Sequence, residues 1–107
     1  MSGRTLQNSI RRIVAQIVAL ARPRKVILFG SATSGRVGAD GDIDFLIVVP
    51  DGNRPEEVQD RLNMGIRRKP KPCDFLVTTS SVLRRHRRNP GLIYASILRE
   101  GKEVYGG

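Results

Sequence analysis

Short β-branched apolar runs alternate with longer stretches of helical periodicity along this chain, and that alternation predicts an α/β domain of the α+β kind. The expected architecture is a small mixed sheet of about three strands flanked by about four helices. Three observations carry it: the run VILF, the run IDFLIVV, and apolar residues spaced by three and four on either side of them. The 107 residues have room for one core, so residues 1–107 are expected to fold as a single domain.

Taken in order, Leu6, Ile10, Ile13, Val14, Ile17, Val18 and Ala21 form the stripe of an amphipathic helix over residues 5–21, which Pro23 ends. Val26 to Phe29, bounded by Lys25 and Gly30, suits a buried first strand. A small, glycine-rich and polar stretch follows to Gly41, and Ile43 to Val49 form the second strand, closed by the turn residues Pro50, Asp51 and Gly52. Pro55 fits the first turn of the next helix, where Glu56 and Glu57 complement its dipole, with Val58, Leu62 and Ile66 facing inward. After the basic RRKPKP segment, Cys73 to Val77 are the third strand. Ser80 or Ser81 then caps a short helix carrying Val82 and Leu83. Pro90 opens a last helix with Leu92, Ile93, Ile97 and Leu98 inward, and Gly101 stops it.

Composition narrows the function. Hydrophobic residues at 39% and charged residues at 27% are a soluble globular balance, and no apolar run approaches the ~20 residues of a membrane span. The N-terminus lacks the apolar stretch of a secretory signal, and the lone Cys73 has no internal disulfide partner, so a reducing cytoplasmic setting is expected. The net charge of +9 is unevenly spread: residues 41–60 hold six acidic and one basic, whereas residues 1–40 hold seven basic and one acidic and residues 61–90 hold nine and one. Such a field admits nucleotides, nucleic acid or an acidic protein as partner. Nucleic acid is not favoured, because with no Trp, two Tyr and three Phe the chain has few rings on which bases could stack.

The chemistry concentrates on two strands and one loop. Asp42 and Asp44 lie two apart on the second strand, so both side chains leave one face while Ile43 and Phe45 leave the other. Asp74, at the start of the third strand, joins the same patch if the two strands are neighbours. Three carboxylates that close repel by ~4 kcal/mol per pair at 4 Å and an effective dielectric of 20, and a positive charge among them is expected. An all-oxygen set favours Mg²⁺ or Mn²⁺ shared with substrate phosphates. Gly30 and Ser31 follow directly on the first strand, where a backbone without Cβ, a hydroxyl and adjacent N–H groups can cradle a phosphate.

The ordered set VILFGSATSGRVGADGDIDFLIVV and then CDFLVTT resembles the minimal nucleotidyltransferases of the DNA polymerase beta superfamily. The tail NPGLIYASILREGKEVY is similar to the end of these proteins as well. The resemblance implies a nucleotidyltransferase-like fold, triphosphate held by Gly30 and Ser31 with Asp42 and Asp44 beside it, and metal ions bound by the catalytic Asp42, Asp44 and Asp74. It further implies transfer of AMP from ATP, with Mg²⁺, to a tyrosine of a HEPN-type toxin, for which the chain would be the antitoxin. The sequence departs from the pattern at Ser34, where relatives often carry Arg, and at Gly41, where they often carry Ser; Arg36 offers a positive charge from a different point of the loop.

Plainer readings stand beside these. An Asp-x-Asp is ordinarily solvated surface, but the apolar flanks here indicate a strand covered on both faces, where an unpaired Asp44 is costly. Asp74 also suits an ion pair with Lys69 or Lys71, and Ser31 suits a helix cap. The cluster Arg84, Arg85, Arg87 and Arg88 reads as a solvated helix face with His86 on its surface, Cys73 as a small core side chain, and Tyr94 and Tyr105 as packing residues. The competing function is a non-catalytic neutralising or nucleic-acid-binding module on the same fold.

Overall fold

A computed structural model describes residues 3–30 and 41–106. Its elements run α1 (Gly3–Ala21), β1 (Lys25–Phe29), β2 (Ile43–Val49), α2 (Pro55–Gly65), β3 (Cys73–Thr79), α3 (Ser80–His86), α4 (Ile93–Glu100) and β4 (Lys102–Gly106). The sheet order is β3-β2-β1-β4, with β2 and β3 parallel and β1 antiparallel to both β2 and β4. The mixed α+β architecture is the expected one, with four strands among the described residues instead of about three.

Alternation along β2 divides the molecule. Ile43, Phe45, Ile47 and Val49 enter a core shared with Ile10, Ile13 and Ile17 of α1 and with Val58 and Leu62 of α2. Within it Phe45 and Phe75, partners in the β2–β3 register, stack with ring centroids 5.9 Å apart. Leu46 and Val48 leave the opposite face and meet Ile27 and Ile97 in a smaller cluster under α3 and α4. Gln16 fastens α1 to the segment after α2: its Nε2 donates to the Arg67 carbonyl at 3.0 Å, and its Oε1 accepts from the Arg67 N–H at 2.8 Å.

The differences from expectation lie in the C-terminal third. β3 runs two residues further, to Thr79, and both Thr78 and Thr79 are buried. The cap of α3 is the Thr79 side chain, accepting from the Val82 N–H at 3.4 Å, and not Ser80 or Ser81. α4 begins at Ile93, three residues past Pro90, so Leu92 and Ile93 are exposed and Ile97 alone of the expected inward residues is fully buried. The strand after Gly101 carries little sequence signal of its own: in KEVYG only Val104 and Tyr105 are half-buried, and its pairing with β1 skips Val104 in the register.

Candidate active site

Three strand ends meet where β1 stops and β2 and β3 begin. Phe29, the last residue of β1, is opposite Asp44, and Asp44 is opposite Asp74 in the parallel β2–β3 register. Asp44 and Asp74 leave the sheet on the face of Leu46, Val48 and Leu76, the thinly covered side, because side chains alternate along each strand. Asp42 stands just before β2, which begins at Ile43, and is exposed.

Charge crowds here. The Asp44 carboxyl is raised above the ordinary aspartate range, chiefly by burial, then by the charge of Asp74 and a hydrogen bond shared with its side chain, and then by the charge of Asp42. Among the described residues no three acidic, His or Cys groups converge as a ready-made ion cage; the tight element is the Asp44–Asp74 pair, with Asp42 acting from one residue outside the strand. The donor set fits a hard cation, since Mg²⁺ takes one or two carboxylates and completes its shell with water and phosphate. Cys73, next to Asp74, packs against the core, and burial pushes its thiol up to about 11, so it holds its proton at neutral pH.

Gly30 closes the site from β1. Its φ is +77°, a left-handed backbone that side chains disfavour, and a Cβ built there would collide with Oδ2 of Asp44. Glycine is therefore required twice over, by conformation and by the approach of the Asp44 carboxylate. Ser31, expected to contact phosphate, Ser34, where the sequence departs from the family pattern, and Arg36, the charge offered from elsewhere on the loop, lie outside the described residues.

The Arg84 to Arg88 cluster occupies the end of α3, with all four arginines exposed. Tyr94 packs on the smaller cluster and Tyr105 on the larger one. Among the described residues no helix is long and apolar enough to cross a membrane.

Comparison with known proteins bears on the family and the fold. Residues 8–90 match the model of a nucleotidyltransferase domain, a span that includes Gly30, Asp42, Asp44 and Asp74. One solved structure, described as a toxin-antitoxin with AMP-PNP, shares the fold with a TM-score of 0.54 and 19% identity, covering 89% of this chain and 72% of that one. No curated protein matches the sequence.

Proposed function

The chain belongs to the nucleotidyltransferase domain family, and on that premise we propose that it transfers AMP from ATP to a tyrosine hydroxyl of a partner toxin and so acts as an antitoxin. The observation that carries this reading is the facing of Asp44 and Asp74 across adjacent strand starts, beside the left-handed backbone of Gly30. Support for adenine nucleotide and for a toxin partner comes from the structural neighbour, a toxin-antitoxin with AMP-PNP. The HEPN type of that toxin rests on the family resemblance of the motif.

In such a transfer the acceptor oxygen bonds to the α-phosphorus, the bond to the β-phosphate oxygen breaks with its electron pair leaving on pyrophosphate, and the hydroxyl proton passes to a base. Asp74, exposed at the start of β3, is the carboxylate assigned to that proton. Gly30 lets the backbone close on the triphosphate, and Ser31 is assigned a phosphate oxygen. Asp42, Asp44 and Asp74 would hold Mg²⁺ or Mn²⁺, whose charge offsets the carboxylates and the phosphates and favours the departure of pyrophosphate.

The test is transfer of label from α-labelled ATP to the purified partner. Label should reach the partner with the unmutated chain, and Asp42→Ala or Asp44→Ala should abolish it. By calorimetry, Gly30→Val should abolish nucleotide binding, whereas Asp74→Asn should keep most of it while slowing transfer by about 10² or more, the scale of a lost positioned base. Full transfer by Asp74→Asn would remove that residue from the mechanism. Neutralisation of the toxin with no transfer by the unmutated chain would replace catalysis with binding alone.

A further inference from the structure

At the far end of the sheet from the carboxylates lies a cleft of about 690 Å³. Its cations are Arg24 and Lys25 at the start of β1 and Arg84 and Arg87 from α3 and the residue after it. Arg84 and Arg87 line the cleft, whereas Arg85 and Arg88 of the same cluster do not. The floor is aliphatic, built from Val48, Leu83 and Leu98.

The cations make few close ion pairs among the described residues. Lys25 has a partner in Glu103 at 3.6 Å, but among the described residues no carboxylate lies within ion-pair distance of Arg24, Arg84 or Arg87. Asp51, the acidic residue of the lining, accepts from the Ser81 N–H at 2.9 Å, and the Ser81 hydrogen bonds, then the charges of Arg84 and Arg24, lower its carboxyl below the ordinary aspartate range, so part of the positive field of the cleft is already balanced. Three guanidinium groups around an aliphatic floor select a ligand with carboxylates outside and an apolar side chain between them. A nucleic-acid strand suits the cleft poorly, because among the described residues no aromatic ring lines it for stacking.

We propose that this cleft docks an acidic peptide segment of a partner protein, with an aliphatic side chain of that segment on the floor and its carboxylates on Arg24, Arg84 and Arg87. The site is separate from nucleotide chemistry. Val48 is four residues along β2 from Asp44 on the same face, about 13 Å, so a docked segment leaves the carboxylates open. Docking stands or falls whether or not the chain transfers AMP.

Fluorescence anisotropy on the full chain without nucleotide tests it, with three labelled probes of matched charge: a short peptide alternating Glu and Leu, one alternating Glu and Ser, and an oligouridine. The Glu-Leu peptide should bind most tightly, and Arg84→Ser with Arg87→Ser should weaken it by about tenfold or more. The same charge removed at the exposed Arg11 and Arg12 of α1, as Arg11→Ser with Arg12→Ser, should change it little. Equal losses from the two double variants would reduce the effect to net charge and overturn the proposal. So would the absence of peptide binding, equal affinity for the Glu-Ser peptide, or tighter binding of oligouridine through Arg84 and Arg87.

Discussion

A half-buried carboxylate faced by a second one carries a cost that a cation would remove, and Asp44 is in that position between burial and the charge of Asp74. Its carboxyl titrates higher in the folded chain than in the unfolded one, where about 3.9 is usual. The folded state then holds its proton longer, so this contribution to stability is complete below the unfolded value and is lost as pH rises through the folded one. At neutral pH the ionised Asp44 therefore works against the fold when no cation is bound. Asp44→Asn should raise the Tm of the nucleotide-free protein in a chelator at neutral pH, and the gain should vanish below about pH 4. Scanning calorimetry at the two pH values decides it; a variant less stable than the parent at neutral pH would show that the crowding carries no cost. The places of Asp44 and Gly30 were legible in the sequence because the two-residue period of a strand and the special backbone of glycine act locally, whereas Asp42, expected on the same strand, stands one residue before it. The pairing of Asp74 with Asp44 was legible only conditionally, since it depends on β2 and β3 being neighbours, which no local signal states.

At the scale of elements, legibility follows how much each segment owes to its own residues. α1, β1 and β2 lie close to their expected bounds, because their apolar faces are nearly continuous and Pro23, Gly30 and Pro50 punctuate them. β4 was missed because its strand state comes from the vacant edge of β1 and not from KEVYG itself. The expected third strand stopped at Val77, yet β2 offers β3 a parallel partner as far as Val49, and the pairing carries Thr78 and Thr79 into the sheet. Gly101 ends α4 as expected, but for another reason than a left-handed cap. Its φ is −76°, open to any residue, and its N–H bonds to the Ile97 carbonyl at 2.7 Å. A Cβ there would stand 2.5 Å from that carbonyl oxygen and 2.6 Å from Cγ2 of Ile27, so glycine is needed for the close approach of the α4–β4 corner to β1. Gly101→Ala should cost about 1–3 kcal/mol, as overpacking does, and urea unfolding should show a lower midpoint at unchanged slope. An unchanged midpoint would mean that the corner yields freely.

Among the described residues the two faces of the sheet are unequally covered: sixteen buried side chains make the core under α1 and α2, and four make the cluster under α3 and α4. Burial of apolar surface is the main favourable term in folding, so the α1–α2 side holds the fold and the α3–α4 side is attached to it with less. The carboxylates and the basic cleft both belong to the lightly covered face, at opposite ends of β2. A face that must admit ligands cannot also be sealed by a thick layer of side chains. α4 rests on that face through the fully buried Ile97, with Tyr94 and Leu98 half-buried, and its first residue, Ile93, stands in solvent. β2, by contrast, pairs on both edges and is buried along nearly its whole length. Local opening free energies follow such differences, so α4 should detach in an opening smaller than global unfolding. Native-state hydrogen exchange should therefore find α4 amides protected less than those of β2 by at least about tenfold. Low urea should leave α4 exchange nearly unchanged, because a small opening exposes little surface, while β2 exchange should rise with the full unfolding slope. Equal protection and equal urea dependence in the two elements would show instead that both faces unfold as one unit, with α4 as firmly held as the central strand.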